Sequence, residues 1–299
     1  MNLLKLTAIL TASVSLIACS QEPTSSTAAT DNAESATRSN AEILDQVLAG
    51  AQRSDEERAR DQFRNPKDTL LFFGVEPDMN VVEIWPGGGW YTNVIAPYLA
   101  NGDGTYYAAH FDPAASERAA ASIAAYSEKY VANSETYGDI KISVLGGDEN
   151  AEIAPAGSAD MVLTFRNVHN WMNRNSSPAF FQKFYEALKP GGVLGVVEHR
   201  ADSPDSDGSS GYVAEETVIA FAIAAGFELD TSSEINANPA DTKDHPFGVW
   251  TLPPVKRSSA VRGEEDPDFD RAKYDAIGES DRMTLKFRKP IAADGALLE

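Results

Sequence analysis

A strand that runs straight into three glycines and then a helix constrains this chain more than any other feature. Val81-Val82-Glu83-Ile84-Trp85 is an apolar run holding one acid, Pro86-Gly87-Gly88-Gly89 follows, and Trp90 to Leu99 reads as a helix. Glycine at such a turn brings bare backbone close to a ligand, while the first N–H groups of the helix point at it. The acid at the strand's end repels phosphate and suits a cationic or hydroxyl-bearing ligand. The Lys-Ser/Thr pair of a phosphate-binding loop is absent. Taken alone, three glycines equally describe a tight turn that needs positive φ.

The rest of the chain repeats the alternation. Thr105 to His110, Ile140 to Leu145, Met161 to Phe165, Val193 to Glu198, Phe227 to Ser232 and Met283 to Phe287 read as strands. Helical segments lie between most of them: Ala114 to Val131, Pro178 to Leu188 and Tyr212 to Ala225. Lys189-Pro190-Gly191-Gly192 reads as a stop. Strands separated by helices predict βαβ units and a doubly wound parallel sheet. Ahead of them, Ile43, Leu44, Val47 and Leu48 recur at helical spacing, Asp55 to Phe63 reads as a charged helix, and Asn65-Pro66 ends it. A polar insert, residues 234–282, precedes the last strand; a lid over the strand ends and a peripheral hairpin are both open readings. With 299 residues, 42% of them hydrophobic, residues 41–299 suffice for one α/β domain.

Polar residues gather just after successive strands, where open α/β sheets bind ligands. Asp112 follows the second strand and Gly147-Asp148 the third. Arg166-Asn167-Val168-His169-Asn170-Trp171 follows the fourth, and Glu198-His199-Arg200 the fifth.

Val82-Glu83-Ile84-Trp85-Pro86-Gly87-Gly88-Gly89, Gly147-Asp148, Asp160 to Phe165, and Leu188-Lys189-Pro190-Gly191-Gly192 together resemble the class I S-adenosylmethionine-dependent methyltransferases, in order and spacing, from about Leu70 to Arg288. The resemblance implies a Rossmann-like sheet of about seven strands, mostly parallel with the last antiparallel, and helices on both faces. It implies S-adenosylmethionine as cofactor. Glu83, Gly87, Gly88 and Gly89 would line its methionine and ribose part, Asp112 would meet the ribose hydroxyls, Asp148 the adenine, and Asn167 the sulfonium. The three carboxylates would converge on one nucleoside-sized hollow. Trp85 stands where the family has its first glycine, and an indole there either covers the adenosyl group or fills its space. Methyl transfer needs orientation and, for some nucleophiles, a base. His169 is the first candidate and His199 the second, with Glu198 orienting His199 or accepting from substrate. Trp171 and His245 are candidate substrate contacts. His110, Asp112, Glu198 and His199 match no metal-ligand spacing, so no metal is expected.

The first residues resemble a bacterial lipoprotein signal. Lys5 precedes the apolar stretch Leu6 to Ala18, too short for a comfortable membrane span, and Leu16-Ile17-Ala18-Cys19 is similar to a lipobox. Residues 1–18 would be removed, Cys19 lipidated, and the Ser-, Thr- and Ala-rich stretch to residue 40 would form a tether. Cys19 is the only cysteine, which excludes an internal disulfide. Ser20 after it favours an outer-membrane anchor facing the periplasm. Against 25 Lys and Arg stand 45 Asp and Glu, a net charge of −20, which disfavours nucleic acid and leaves the membrane as partner only through the lipid. The expectation is methyl transfer to a small molecule. The rival is a non-catalytic ligand-binding or scaffolding lipoprotein on the same fold.

Overall fold

Seven strands in the order β3-β2-β1-β4-β5-β7-β6 form one sheet. They come from a computed structural model, which describes residues 38–146 and 151–291. The expected signal segment, Cys19 and Asp148 lie outside the described residues.

Four helices come first: α1 (Asn40–Ala49), α2 (Asp55–Arg58), α3 (Asp61–Arg64) and α4 (Pro66–Phe73). Ser39 with Glu42, and Ser54 with Glu57, start α1 and α2 by bonding reciprocally to each other's backbone N–H. The expected single helix from Asp55 is two short ones. The break falls at Arg60, whose Nε donates to Glu279 at 2.6 Å. Asn65 adopts φ 38°, and Pro66, with no N–H to satisfy, begins α4.

The alternation then follows as β1 (Asn80–Ile84), α5 (Thr92–Leu99), β2 (Thr105–His110), α6 (Glu117–Tyr126), α7 (Ser134–Tyr137), β3 (Ile140–Val144), β4 (Ala159–Phe165), α8 (Val168–Met172), α9 (Ser177–Ala187) and β5 (Leu188–His199). It closes with α10 (Glu215–Ala224), β6 (Glu228–Ser233), α11 (Ala272–Ile277) and β7 (Arg282–Arg288). Strands β1 to β5 run parallel, whereas β7 lies antiparallel between β5 and β6. This is the Rossmann-like fold of the methyltransferases. The Lys189-to-Gly192 stop is part of β5: the register slips between Ala159 and Met161, and Gly191 N–H donates to Lys289. Among the described residues no helix is long and apolar enough to cross a membrane.

Alternation along each strand sends side chains to two cores. Val81, Met161 and Leu163 face α1, α4 and α5, while Val82, Ile84, Val162 and Leu194 face α8, α9 and α10. Gly195 of β5 lets α4 settle on the sheet. A Cβ there would stand 2.6 Å from Leu163 and 2.9 Å from Phe73. Gly195→Val is therefore expected to destabilise the fold by about 1–3 kcal/mol through overpacking. Urea unfolding checks this as a lower midpoint at unchanged slope.

Candidate active site

Strand order reverses beside β1, which pairs with β2 on one side and β4 on the other. A crevice opens at the carboxyl end of such a strand pair. Here it is a cleft of about 530 Å³, lined on one side by Glu83, Trp85, Gly87 and Gly88. Arg166, Asn167, His169 and His199 line it from the ends of β4 and β5. Val249, Trp250 and residues 253–255 close it from the insert, which thereby forms a wall rather than a peripheral hairpin. Arg60, Arg64, Arg282 and Glu57 also line the cleft.

The turn divides its glycines between two tasks. Gly87 and Gly88 face open space, since a Cβ on either would meet nothing within 4 Å. Gly89 does not: a Cβ there would stand 2.2 Å from the Tyr130 hydroxyl, which donates to the carbonyls of Gly88 and Gly89. Gly89 is thus a packing glycine, not the ligand contact that the resemblance implied.

Glu83 is 3% exposed, and its carboxylate accepts from the Tyr106 hydroxyl, which also meets Thr92. Burial pushes its pKa up to about 7, against the opposing pull of the Tyr106 bond and of Arg166. Asp112 lies elsewhere. Its carboxylate accepts Ala114 N–H at 2.8 Å and caps the short turn after β2, so it does not line the cleft. The residue that ends β2 is His110, fully buried, with neither ring nitrogen hydrogen-bonded. Hence Glu83 and Asp112 do not converge.

Trp85 holds φ 47°, a strained angle for a side chain of this size. Its indole donates to the Leu145 carbonyl at 3.2 Å and packs edge-on against Phe111, Trp171 and Phe180. Those rings hold it at one margin of the cleft. Trp171 itself is 0% exposed among Phe180, Phe181 and Phe184, and so is core rather than a substrate contact. His245 is likewise removed from the cleft, bonded to Asp241 at 2.7 Å inside the insert.

A carboxylate with no solvent exposure organises the other margin. Glu198 accepts the backbone N–H of Val168 at 2.6 Å and of His199 at 2.8 Å, and meets Nδ1 of His169 at 3.2 Å. Glu198 therefore serves His169, not His199 as expected. With Nδ1 donating to the carboxylate, Nε2 of His169 keeps its lone pair. His199 bonds Ser280 through Nδ1, and burial, reinforced by His169 and Arg282, holds its pKa far below the ordinary imidazole value. It is neutral. His169, Glu198 and His199 offer ligand atoms within 4.8 Å of one another. The donors already on Glu198 compete with any ion there. Asn167 ties the margins together, its Nδ2 donating to Ile84 at 2.9 Å and to Thr164 at 3.3 Å.

No protein-family model and no curated protein matches this sequence. Solved structures do. A protein named as a sarcosine dimethylglycine methyltransferase from Galdieria sulphuraria is 16% identical, covers 80% of this chain and 88% of its own, and superposes with a TM-score of 0.50. An S-adenosylmethionine-dependent methyltransferase from Aquifex aeolicus is 17% identical over 67% of this chain and 94% of its own, with a TM-score of 0.47. The likeness to the Galdieria sulphuraria protein, at this identity, concerns the fold alone.

The Glu83 pKa has a measurable consequence. In the unfolded chain the carboxyl ionises near 4.5, whereas in the folded chain it stays protonated to about 7. Stability full below the lower value is lost as pH rises through the upper one, at about 1.4 kcal/mol per pH unit, or roughly 3 kcal/mol in all. Glu83→Gln is expected to melt higher than wild type at pH 8, with the gap closing towards pH 4.5. An equal gap at both values in thermal melts would contradict the assignment.

Proposed function

We propose that this chain is an S-adenosylmethionine-dependent methyltransferase acting on a small molecule, with His169 as the base. The observation that carries the reading is the buried Glu198–His169 pair, set across a cleft from the bare Gly87–Gly88 backbone. A scaffolding protein has no use for an imidazole whose tautomer is fixed and whose free nitrogen borders a cleft.

The residues present suit the donor. Gly87 and Gly88 leave space for it, a carboxyl oxygen of Glu83 can accept a hydrogen bond from its ammonium group, and Trp85 offers an aromatic margin for the adenine. Asp112, expected at the ribose, caps its own turn outside the cleft, and the acids that line the cleft are Glu57 and Glu83. When bound, the donor supplies an electrophilic methyl group on a sulfonium. The chain's own part is positional and acid–base. The insert wall, residues 249–255, limits water at the cleft, and Asn167 holds the ends of β1 and β4 in register. Nε2 of His169 takes the acceptor's proton, and the carboxylate of Glu198 stabilises the imidazolium that forms.

Calorimetric titration tests this. Wild type should bind S-adenosylmethionine saturably. Gly88→Leu, which fills open space at an unstrained angle, should lose binding at unchanged melting temperature. His169→Gln should still bind donor but transfer label from it to a cell extract about 10²–10⁴-fold more slowly. Absence of heat with wild type at millimolar donor would overturn the proposal.

From the sequence we further propose that the enzyme is exported and anchored by a lipid on Cys19, on the periplasmic face of an outer membrane. Growth with an alkyne fatty acid should label the wild type and not Cys19→Ser; equal labelling would contradict the anchor.

A further inference from the structure

Among the residues of the cleft, one group has no part in the chemistry above. Arg60 and Arg64 reach in from α2–α3, Arg166 from the end of β4, and Arg282 from the start of β7. All four surround a single carboxylate, Glu279. Arg60 Nε lies 2.6 Å from it, Arg64 Nε 3.0 Å and Arg166 Nη1 3.8 Å, while Arg282 donates through Nη2. Arg64 and Arg282 are each 2% exposed. Arg282 Nε and Arg60 Nη2 are buried with no hydrogen-bond partner.

Among the described residues no acid besides Glu279 forms an ion pair with these four arginines, although Glu57 lines the same cleft. Asp61 is taken by Arg53 at 2.5 Å, Glu57 accepts from Ser54 and Asn93, and Glu83 is protonated to about 7. Four guanidinium groups thus share one carboxylate as their ion-pair partner, in a chain whose net charge is −20. Such crowding is unfavourable unless an anion joins it, and guanidinium forks match carboxylate and phosphate oxygens. Burial and the other arginines lower the pKa of Arg64 well below its usual range and bring Arg166 to about 10. Like charge is thus close, with Arg64 and Arg282 buried and Arg60 and Arg166 partly open to the cleft.

We propose that this wall of the cleft is an anion site, and that the methyl acceptor carries a carboxylate or phosphate group held by Arg60, Arg64, Arg166 and Arg282. The site stands on its own geometry; only the role of its ligand as acceptor rests on the function proposed above. Arg166 is three residues from His169 in the chain and lines the same cleft. An anionic group seated there places the rest of its molecule beside the base.

The experiment is a thermal-shift and calorimetric titration of the full chain with inorganic phosphate and with acetate, against chloride at equal ionic strength. One of the two anions should raise the melting temperature saturably, and the preferred one names the group. Arg166→Gln should weaken that anion about ten- to a hundredfold. It should also fold as well as wild type, because Arg166 is the member farthest from Glu279 and its removal relieves repulsion. Arg60→Gln gives a second reading should the first variant fail to fold. A response to neither anion beyond chloride, or an undiminished response in a folded variant, overturns the site. If Arg166→Gln weakens S-adenosylmethionine and leaves phosphate and acetate unaffected, the cluster serves the donor and the acceptor class is wrong. Failure of the donor to bind wild type, with a saturable anion response intact, would instead remove the methyl-transfer reading and leave the site standing.

Discussion

The shape of the cleft depends on one ion cluster. Glu279 draws together residues more than two hundred positions apart, joining α2 and α3 to the end of β4 and the start of β7. Burial by itself would raise its pKa, but Arg282, Arg64, Arg166 and Arg60 outweigh that effect and hold it far below the usual carboxylate range. The same contacts bring Arg64 over the ring of Trp90, 4.6 Å from its centroid, and so press the N-terminal helices against the segment that follows the glycine turn. Without this cluster the cleft would lack one wall.

Two buried carboxylates divide the remaining work. Glu198 collects N–H donors and fixes His169. Glu83 is kept protonated near neutrality by burial, beside a chain of hydroxyls from Tyr106, Thr92 and Tyr126. One strand end thus presents an acid kept protonated among hydroxyls, and the other a carboxyl group braced by N–H donors behind an imidazole.

The sheet was legible in the sequence because its inner strands are buried on both faces, so Val81-Val82 and Val193 to Val197 read as unbroken apolar runs between turn signals. The placement of Gly87, Gly88 and His169 on the cleft was legible for a related reason: local motifs put them next to strand ends. What failed depends on side-chain direction. Asp112 stands two residues beyond its strand and satisfies its own turn. Trp171 and His245 point into cores that periodicity alone does not reveal. The arginine cluster was hidden because Arg60, Arg64, Arg166 and Arg282 share no motif and meet only through tertiary contact. Its one local trace is Glu279-Ser280-Asp281-Arg282, one serine and three charged residues, all buried, where the apolar strand β7 begins.

The central claim is that S-adenosylmethionine occupies the cleft between the glycine turn and the His169 margin. Hydrogen exchange measured with and without the donor tests it residue by residue. Slowed exchange confined to residues 85–89 and 166–169 is expected at saturating donor. Unchanged exchange in both segments, at a donor concentration that alters exchange elsewhere in the chain, would contradict it.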